Sequence, residues 1–389
     1  MSTPQLSDQP IVTAMSGGVD SSVAAALMAE QGLPIVGVSM QVWDYRRNGG
    51  CESRATCCSP DDFTDARQVA AKIGIPYYVF DLEEKFNKEV IQKFIDSYHE
   101  GETPNPCIDC NNKVKFRELR SRALSLGASG VATGHYARIE ARGDGFHLLR
   151  GKDRAKDQSY FLYGLSQEEL GLTYFPVGDF TKEEVRELAR ERGLITANKP
   201  ESQDICFVSG TVEEFMSRHG KTRPPGNIVT RDGKILGRHG GIHTYTVGQR
   251  KGLGVGGQEE PLYILEIDPE RDLVVVGPKE ALEQHCFYVS SPNWISPSLR
   301  DSLSKGLPFS FRSRVQMRHR HPGVLADIEI VPGALTKVSF VDEWSPVSPG
   351  QAAVFYDLEN LEVLGGGKME RTRHLRVLSP QSREQTSHL

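Results

Sequence analysis

The sequence lacks the features that direct proteins to export or into membranes. Its first ten residues contain no Lys or Arg and no long apolar stretch, whereas a secretory signal needs both and a transit peptide is rich in Arg. No segment approaches the roughly 18 consecutive apolar residues that a membrane-spanning helix needs. We therefore expect a cytoplasmic protein without a membrane partner.

Cysteine is scarce, with seven residues in a chain of 389. An odd number of thiols in a long chain argues against a disulfide framework. In a reducing compartment it is more typical of metal binding or catalysis.

A broadly basic composition is also absent, because the net charge is −5. Residues 1–100 hold 8 Lys and Arg against 14 Asp and Glu, which leaves 38 against 37 in the other 289 residues. Basic residues cluster locally at 111–122 and 300–322. We expect nucleic-acid binding by this chain to rest on few phosphate contacts and to weaken only moderately with salt.

Apolar runs alternate with helical patterns through the first half of the chain. Strands are predicted at 11–15, 35–40, 77–82 and 130–135, and helices after residue 22 and at 61–74, 83–99 and 110–126. Such alternation predicts an α/β domain with a doubly wound parallel sheet, whose ligands bind at the carboxyl ends of the strands.

The composition and the predicted secondary structure change after about residue 220, where Gly and Pro become frequent and the predicted strands are short. A hairpin is predicted earlier at 139–150, and further helices at 181–193 and 211–219. We expect a catalytic domain over 1–210, a small linking domain over 211–284, a β-barrel over 285–378 and a disordered tail over 379–389.

A glycine-rich loop joins the first strand to the first helix, with the sequence Ser16-Gly17-Gly18-Val19-Asp20-Ser21-Ser22. Helix N-termini bind anions through unpaired N–H groups, and glycines allow close approach of the backbone. The loop lacks the Lys of a Walker motif. It resembles the PP-loop of adenine nucleotide alpha hydrolase-like ATP pyrophosphatases, which implies that it holds the pyrophosphate end of ATP, with Asp20 near the accompanying Mg²⁺. Because argininosuccinate, NAD and GMP synthetases share this loop, a ligase or amidotransferase acting on a small molecule stays open.

Three thiols lie in two further segments. Cys107 and Cys110 precede a basic helix, and we expect Cys110 at or near its N-terminus, where the helix dipole lowers a thiol pKa. Cys206 follows in a separate segment. A Cys-x-x-Cys pair is also half of a zinc site, and an iron–sulfur cluster joining Cys110, Cys206 and a third ligand is a further alternative. No second such pair follows at zinc-finger spacing. Two minor possibilities are a metal site, less favoured than a surface loop, at Cys51, Cys57 and Cys58, and a packing role for Cys286.

Taken together, these segments resemble the tRNA-specific 2-thiouridylase family over nearly the whole chain. The resemblance also rests on blocks at 57–59, 65–67, 132–138, 156–162, 245–253 and 349–355. It implies a sulfurtransferase that adenylates the C2 oxygen of the wobble uridine of tRNA with ATP and replaces that oxygen by sulfur. Cys206 would carry a persulfide received from a sulfur relay or cysteine desulfurase. Cys110 would be the nucleophile and form a transient disulfide with Cys206.

The resemblance also implies binding residues. For ATP these are Ala14, Met15, Ser16, Gly17, Gly18, Val19, Asp20, Ser21, Met40 and Gly134. For tRNA they are Asn105, Pro106, Cys107, His135, Lys156, Asp157, Gln158, Arg318, His319 and Gln351. Alternation along a strand would place Arg312, Arg314, Arg318 and Arg320 on one phosphate-binding face.

One position departs from the family pattern. Many members carry Asp where this chain has Cys107, and that Asp is assigned to the target base. A thiol can replace it only as a thiolate or a weak donor, and Asp109 lies nearby in sequence. A binding protein without catalysis, which uses the thiols for a metal and the barrel for RNA, is the remaining alternative.

Overall fold

The computed structural model describes residues 9–43, 60–201, 205–208, 210–257, 260–342 and 344–371. The tail expected at 379–389 and the thiols Cys51, Cys57 and Cys58 lie outside these ranges. Within them, no helix combines the length and the apolar character that a membrane crossing requires.

The strands are numbered in chain order. They are β1 (Ile11–Ala14), β2 (Ile35–Gln41), β3 (Tyr77–Asp81), β4 (Gly130–Ala132), β5 (Ala137–Arg142), β6 (Gly145–Arg150), β7 (Thr173–Tyr174), β8 (Gly226–Thr230), β9 (Ile235–His239), β10 (Tyr263–Asp268), β11 (Leu273–Gly277), β12 (Cys286–Trp294), β13 (Phe309–Gln316), β14 (Val324–Ile330), β15 (Thr336–Phe340), β16 (Ala352–Tyr356) and β17 (Glu362–Met369).

The α-helices follow the same order. They are α1 (Val19–Glu30), α2 (Pro60–Ile73), α3 (Glu83–Phe86), α4 (Gln92–His99), α5 (Pro106–Asp109), α6 (Arg120–Ser125), α7 (Gln167–Gly171), α8 (Lys182–Glu191), α9 (Val212–Arg218) and α10 (Pro297–Ser304). Two π-helical segments, Asn87–Ile91 and Cys110–Leu119, join α3 to α4 and α5 to α6. Short 3₁₀ turns lie at Ser159–Leu162, Ile242–Thr244 and Lys279–Leu282.

The first sheet is parallel and has the strand order β3-β2-β1-β4-β7. All four residues of β1 are buried, as expected for a central strand covered on both faces. One face packs on α1, α2 and α8 through residues such as Val23, Val69 and Val185. The prediction of a doubly wound α/β sheet is confirmed.

The helix that carries the paired thiols begins earlier than predicted. It starts at Pro106, a residue favoured at the first helical position, and runs without a break through the π-helical segment into α6. Cys107 therefore lies in the first turn and Cys110 one turn further in. Because the dipole effect is concentrated in the first turn, it acts on Cys107 more than on Cys110.

The middle region forms a four-stranded sheet with the order β10-β11-β8-β9. Strands β8 and β11 are parallel, and the other pairs are antiparallel. Its core contains Ile228, Ile264 and Val274.

The C-terminal region is a closed barrel of six strands. The order β12-β15-β14-β13-β16-β17 closes through pairing of β12 with β17, which confirms the predicted barrel. The predicted hairpin β5–β6 extends this sheet, because Val363 of β17 pairs with Leu148. The N-terminal region and the barrel thus share one continuous sheet.

The predicted arginine face on the barrel is wrong. Strand β13 ends at Gln316, so Arg318 and Arg320 lie in the turn beyond it and do not continue the alternation. Arg312 pairs with Asp327 at 2.7 Å, and Arg314 donates from Nε to the carbonyl of Leu358 at 3.0 Å. A turn that is closed by a hydrogen bond from the His321 N–H to the Arg318 carbonyl at 2.9 Å replaces the strand, and Pro322 and Gly323 follow this turn.

Candidate active site

The glycine-rich loop follows β1 and opens α1. Gly17 has φ +72°, and a Cβ there would lie 2.3 Å from the carbonyl oxygen of Asp62, so only glycine fits. The Ser21 hydroxyl accepts from the Ser16 N–H and donates to the Gly18 carbonyl, both at 3.1 Å. Gly134 lies against this turn, since a Cβ there would be 2.6 Å from the Ser21 nitrogen. The loop is thus fixed by close backbone packing at the carboxyl end of the sheet.

A polar cavity of about 220 Å³ opens beside this loop. Its lining includes Ser16, Gly18, Asp20, Asp62, Tyr136, Lys156, Gln158, Lys182, Lys199 and Glu201. Three lysines therefore face a loop at the N-terminus of a helix, which is a suitable environment for a polyphosphate.

Each of these lysines is held by carboxylates. Lys182 contacts Asp20 at 2.7 Å and Glu201 at 3.2 Å, and Lys156 contacts Glu201 at 2.6 Å. Burial pushes the pKa of Glu201 up, but the hydrogen bond from Lys156 and the charge of Lys182 outweigh it and leave that pKa below its ordinary value. Lys199 contacts Asp62 at 2.6 Å. These ion pairs fix the positions of the ammonium groups before an anion arrives.

Helix capping explains the position of Lys182. It is the first residue of α8, directly after Thr181, whose hydroxyl accepts from the Glu184 N–H while the Glu184 carboxylate accepts from the Thr181 N–H. The Lys182 N–H also donates to Asp153 at 3.0 Å. The helix start therefore places this ammonium against Asp20.

Asp20 also accepts from the Tyr136 hydroxyl at 2.7 Å. Burial, together with the adjacent Asp20 charge, raises the pKa of Tyr136, so the phenol stays protonated and donates. Both Asp20 oxygens accept from Lys182, at 2.7 and 2.8 Å.

Among the described residues, no group of three or more His, Cys, Asp or Glu could hold a metal ion.

A second cavity of about 280 Å³ adjoins the first, and Ser16 and Gln158 line both. It is mostly apolar, with Met15, Met40, Val42, Phe63, Phe86, Val90, Pro106, Ile205 and Phe207 in its lining. Cys107, Cys110, Cys206 and Lys115 complete the lining. The structure therefore brings the three predicted thiols together in one cavity beside the phosphate-binding loop.

The thiols differ in accessibility. Cys107 is exposed, whereas Cys110 and Cys206 are half-buried and pack against the cluster that contains Val114 and Phe207. Asp109 lines a separate cavity of about 320 Å³ with Lys93, Tyr163 and Lys368, and not the thiol cavity. Burial raises the pKa of Asp109, against the charges of Lys93 and Lys113. Asp109 is thus not part of the lining of the thiol cavity.

Two residues expected to contact tRNA are buried in the scaffold instead. His135 is 8% exposed, bonds Thr133 at 2.7 Å and packs on the rings of Phe116 and Phe175. Burial holds the pKa of His135 well below its ordinary range, so it is neutral. Asp157 is 6% exposed and pairs with Arg150 at 2.6 Å. Both side chains are engaged in internal contacts, and a contact of either residue with tRNA stays a prediction.

The other expected tRNA residues are distributed around the cavities. Lys156 and Gln158 line the polar cavity, and Asn105 lines the cavity that contains Asp109. Arg318 is exposed on the barrel, and His319 is half-buried with its ring 4.5 Å from that of Phe161. Gln351 donates to the carbonyl of Thr103 at 3.0 Å, next to the thiol segment.

Several site residues were not predicted from the sequence: Asp62, Lys115, Tyr136, Lys182, Lys199 and Glu201. Their contacts span large separations, such as 162 residues between Asp20 and Lys182. A local pattern carries no signal for such pairs. The block at 132–138 does contain Tyr136, but nothing there indicates its bond to Asp20.

A parallel sheet whose central strand ends in a glycine-rich loop, beside a cavity lined by lysines, defines a nucleotide-binding α/β protein. Family models agree, matching a "tRNA methyl transferase HUP domain" at residues 9–210, a "tRNA methyl transferase PRC-barrel domain" at 213–278 and an "Aminomethyltransferase beta-barrel domain" at 284–369.

Curated relatives define the family more closely. The chain is 48% identical over 362 residues to the tRNA-specific 2-thiouridylase MnmA of Geobacter metallireducens, covering 92% of this chain and 95% of that protein. It is 44% identical over 365 residues to the protein of the same name from Rickettsia felis, covering 93% and 96%. The chain belongs to the tRNA-specific 2-thiouridylase family, as its sequence predicted.

Solved structures are only weakly similar to this chain. A 4-thiouridine synthetase–RNA complex with bound ATP covers 55% of this chain and 50% of its own, at 18% identity and a TM-score of 0.32. A likeness at this level carries no functional argument.

Proposed function

We propose that this protein is an ATP-dependent tRNA-uridine 2-sulfurtransferase, which converts the wobble uridine at position 34 into 2-thiouridine with release of AMP and pyrophosphate. The observation that carries the proposal is the pair of adjoining cavities, one lined by lysines and the PP-loop, the other by three thiols. The names of the relatives support the same activity. Activation and sulfur transfer need this arrangement because the oxygen that ATP activates and the carbon that sulfur attacks belong to one C2 carbonyl group.

In the first step the uridine C2 oxygen attacks the α-phosphorus of ATP, and pyrophosphate leaves. The polar cavity suits the departing anion, because Lys156, Lys182 and Lys199 supply positive charge there. Mg²⁺ bound to the triphosphate would offset part of its charge. The ATP contacts we assign are Ala14, Met15, Ser16, Gly17, Gly18, Val19, Asp20, Ser21, Met40 and Gly134. Met15 and Met40 line the apolar cavity, which suits the adenine ring.

In the second step sulfur replaces the activated oxygen. The terminal sulfur of a Cys206 persulfide attacks C2, and the oxygen leaves with AMP. The Cys110 thiolate then attacks the Cys206 sulfur, which releases the 2-thiouridine and leaves a disulfide between Cys110 and Cys206. Splitting one difficult displacement into activation and attack lowers each barrier. A sulfur relay or cysteine desulfurase would reload Cys206.

For tRNA we assign contacts to residues that are accessible or line the two cavities. These are Asn105, Pro106, Cys107, Lys156, Gln158, Arg318, His319 and Gln351. The linking region and barrel, with limits near 211–284 and 285–378, would hold the RNA while the region over 1–210 performs the chemistry. We place the enzyme in the cytoplasm, where tRNA is modified.

The test is nucleoside mass spectrometry of tRNA from a strain that lacks this protein. We expect 2-thiouridine at the wobble position to disappear and to return with the wild-type chain or with Cys286→Ser, whose thiol lies outside the cavity. Cys206→Ser should not restore it. A strain that retains 2-thiouridine would contradict the proposal and favour a ligase acting on a small molecule. Full rescue by Cys206→Ser would contradict the persulfide role of Cys206.

A further inference from the structure

The three thiols of the cavity differ in their accessibility to solvent. Cys107 is exposed, whereas Cys110 and Cys206 are half-buried against an apolar cluster. Cys107 and Cys110 lie three residues apart in one continuous helix, so they share a face. Cys206 reaches the same cavity from a separate segment. Cys110 therefore shares a cavity with an exposed thiol on its own helix and with a half-buried thiol from another segment.

This arrangement matters after each turnover, and the inference rests on the proposed function. The disulfide between Cys110 and Cys206 must be reduced before Cys206 can accept another persulfide. A reductant from solution reaches a half-buried disulfide slowly, because exchange requires direct attack on one sulfur. We propose that Cys107 is a resolving thiol, which takes over the bond from Cys206 and presents it to an external dithiol.

The first exchange involves only the three cysteines and needs no other reagent. The Cys107 thiolate attacks the Cys110 sulfur, a bond forms between Cys107 and Cys110, and Cys206 leaves as a thiolate. In a second step an external dithiol attacks the exposed disulfide and is itself oxidised to a disulfide. Two electrons and two protons pass to Cys107 and Cys110, which returns both as thiols. Cys206 becomes available for reloading one step earlier.

The local electrostatics favour the attacking thiolate. Cys107 lies in the first turn of its helix, directly after Pro106, where the dipole stabilises a negative charge. Lys115 lines the same cavity, and among the described lining residues there is no carboxylate. Asp109, the nearest acid in sequence, lines a different cavity. A Cβ separation of about 5–6 Å between positions i and i+3 of a helix leaves a disulfide within reach of small backbone adjustments.

The experiment identifies which cysteines are paired after one turnover, and it does not measure the overall rate of thiolation. The full-length protein is loaded with one equivalent of persulfide, mixed with ATP and unmodified tRNA without reductant, quenched with acid and alkylated. Mass spectrometry then reads both the 2-thiouridine and the cysteine pairing. We expect wild type and the matched control Cys286→Ser to show a bond between Cys107 and Cys110 with Cys206 alkylated. Cys107→Ser and Cys107→Asp should instead retain the bond between Cys110 and Cys206.

A second measurement omits the quench, adds a small dithiol to the oxidised proteins and follows the return of thiols. We expect reduction at least about tenfold slower in Cys107→Ser than in wild type, because the sheltered bond must be attacked directly. Wild-type protein that forms 2-thiouridine but pairs Cys110 with Cys206, or equal reduction rates, would overturn the relay alone. Wild-type protein that forms neither 2-thiouridine nor a disulfide would overturn the proposed function, and the relay with it.

Discussion

The side chain of Gln351 on the barrel donates a hydrogen bond to the carbonyl of Thr103 at 3.0 Å, four residues before Cys107. The Thr103 N–H donates to the Pro349 carbonyl at 2.9 Å, and its hydroxyl donates to that of Thr246 at 3.0 Å. The barrel and the linking region thus both hold the start of the thiol segment. We expect RNA that docks on either region to be coupled through Thr103 to the sulfur chemistry.

Thr103→Val should weaken this coupling. The substitution removes one hydrogen bond, worth about 0.5–1.5 kcal/mol, and leaves the backbone bonds to the barrel. We expect the rate of tRNA thiolation to fall several-fold while ATP affinity is unchanged, as measured by single-turnover kinetics and nucleotide titration. Thr64→Val, which removes a hydroxyl bonded only within α2, is the matched control. Equal thiolation rates in the two variants would show that Thr103 has no such role.

Asp20→Asn should disable the ATP step. The change removes the charge that holds Lys182, although the amide oxygen of Asn can still accept from Tyr136. We expect pyrophosphate release in the presence of tRNA to fall by about 100-fold, comparable to the loss of one preorganised electrostatic group. Asp179→Asn, at an exposed carboxylate 3.8 Å from Arg138, serves as the control. Unchanged pyrophosphate release would remove Asp20 from the catalytic site.

Cys110→Ala and Cys206→Ala should separate sulfur transfer from ATP binding. Neither thiol lines the polar cavity that suits the triphosphate, and neither is among the residues we assign to ATP, although both line the apolar cavity beside it. We therefore expect each variant to bind ATP normally and to form no 2-thiouridine, with Cys286→Ala behaving as wild type. Thiolation at the wild-type rate in either variant would refute the two-thiol mechanism.

Asp157→Asn should affect stability, although the sequence suggested a tRNA contact. Asp157 pairs with Arg150, whose guanidinium also lies 3.6 Å from the Tyr356 ring. Breaking a buried pair on one side costs about 3–5 kcal/mol, because the remaining charge stays buried. Denaturant titration should show this loss, whereas Asp327→Asn on the barrel surface should change the unfolding free energy little. Weaker tRNA binding at unchanged unfolding free energy would favour the RNA contact instead.

Glu266 should make stability depend on pH. Burial, with a smaller contribution from Asp268, raises its pKa from 4.5 to about 7, and its Oε2 has no hydrogen-bond partner among the described residues. Between pH 4.5 and 7 the folded chain holds a proton that the unfolded chain releases, so this group's contribution to the unfolding free energy falls as pH rises.

Glu266→Gln keeps the shape without the charge. We expect it to raise the melting temperature at pH 8 and to have little effect at pH 4.5. The exposed Glu329→Gln is the control. An equal shift of the melting temperature at both pH values would contradict this account.

Local signals were enough to predict the elements and the loop of this fold. Gly17 and Gly18, between a buried strand and a helix, indicated the loop. The alternation of strands with helices indicated the parallel sheet, and the run of short strands indicated the barrel. The hairpin predicted at 139–150 is present at 137–150, but its pairing with β17 was not predicted, because strand partners more than 200 residues apart leave no local pattern.

The site was predicted less completely for the same reason. His135 follows a strand at the edge of the sheet where ligands bind. Its side chain nevertheless packs against the rings of Phe116 and Phe175, and a local pattern does not indicate such tertiary packing. The arginine face failed because alternation holds only while a strand lasts, and β13 ends at Gln316. Lys182 and Lys199 look like ordinary surface residues until the fold places them beside Asp20 and Asp62.

The central claim is that ATP activates the C2 oxygen of the wobble uridine for displacement by sulfur. The most direct measurement uses tRNA whose position-34 uridine carries heavy oxygen at C2, incubated with the protein, ATP and a persulfide donor. We predict that the heavy oxygen appears in the phosphate of AMP, with one labelled AMP for each 2-thiouridine. Formation of 2-thiouridine with unlabelled AMP would contradict the adenylation mechanism.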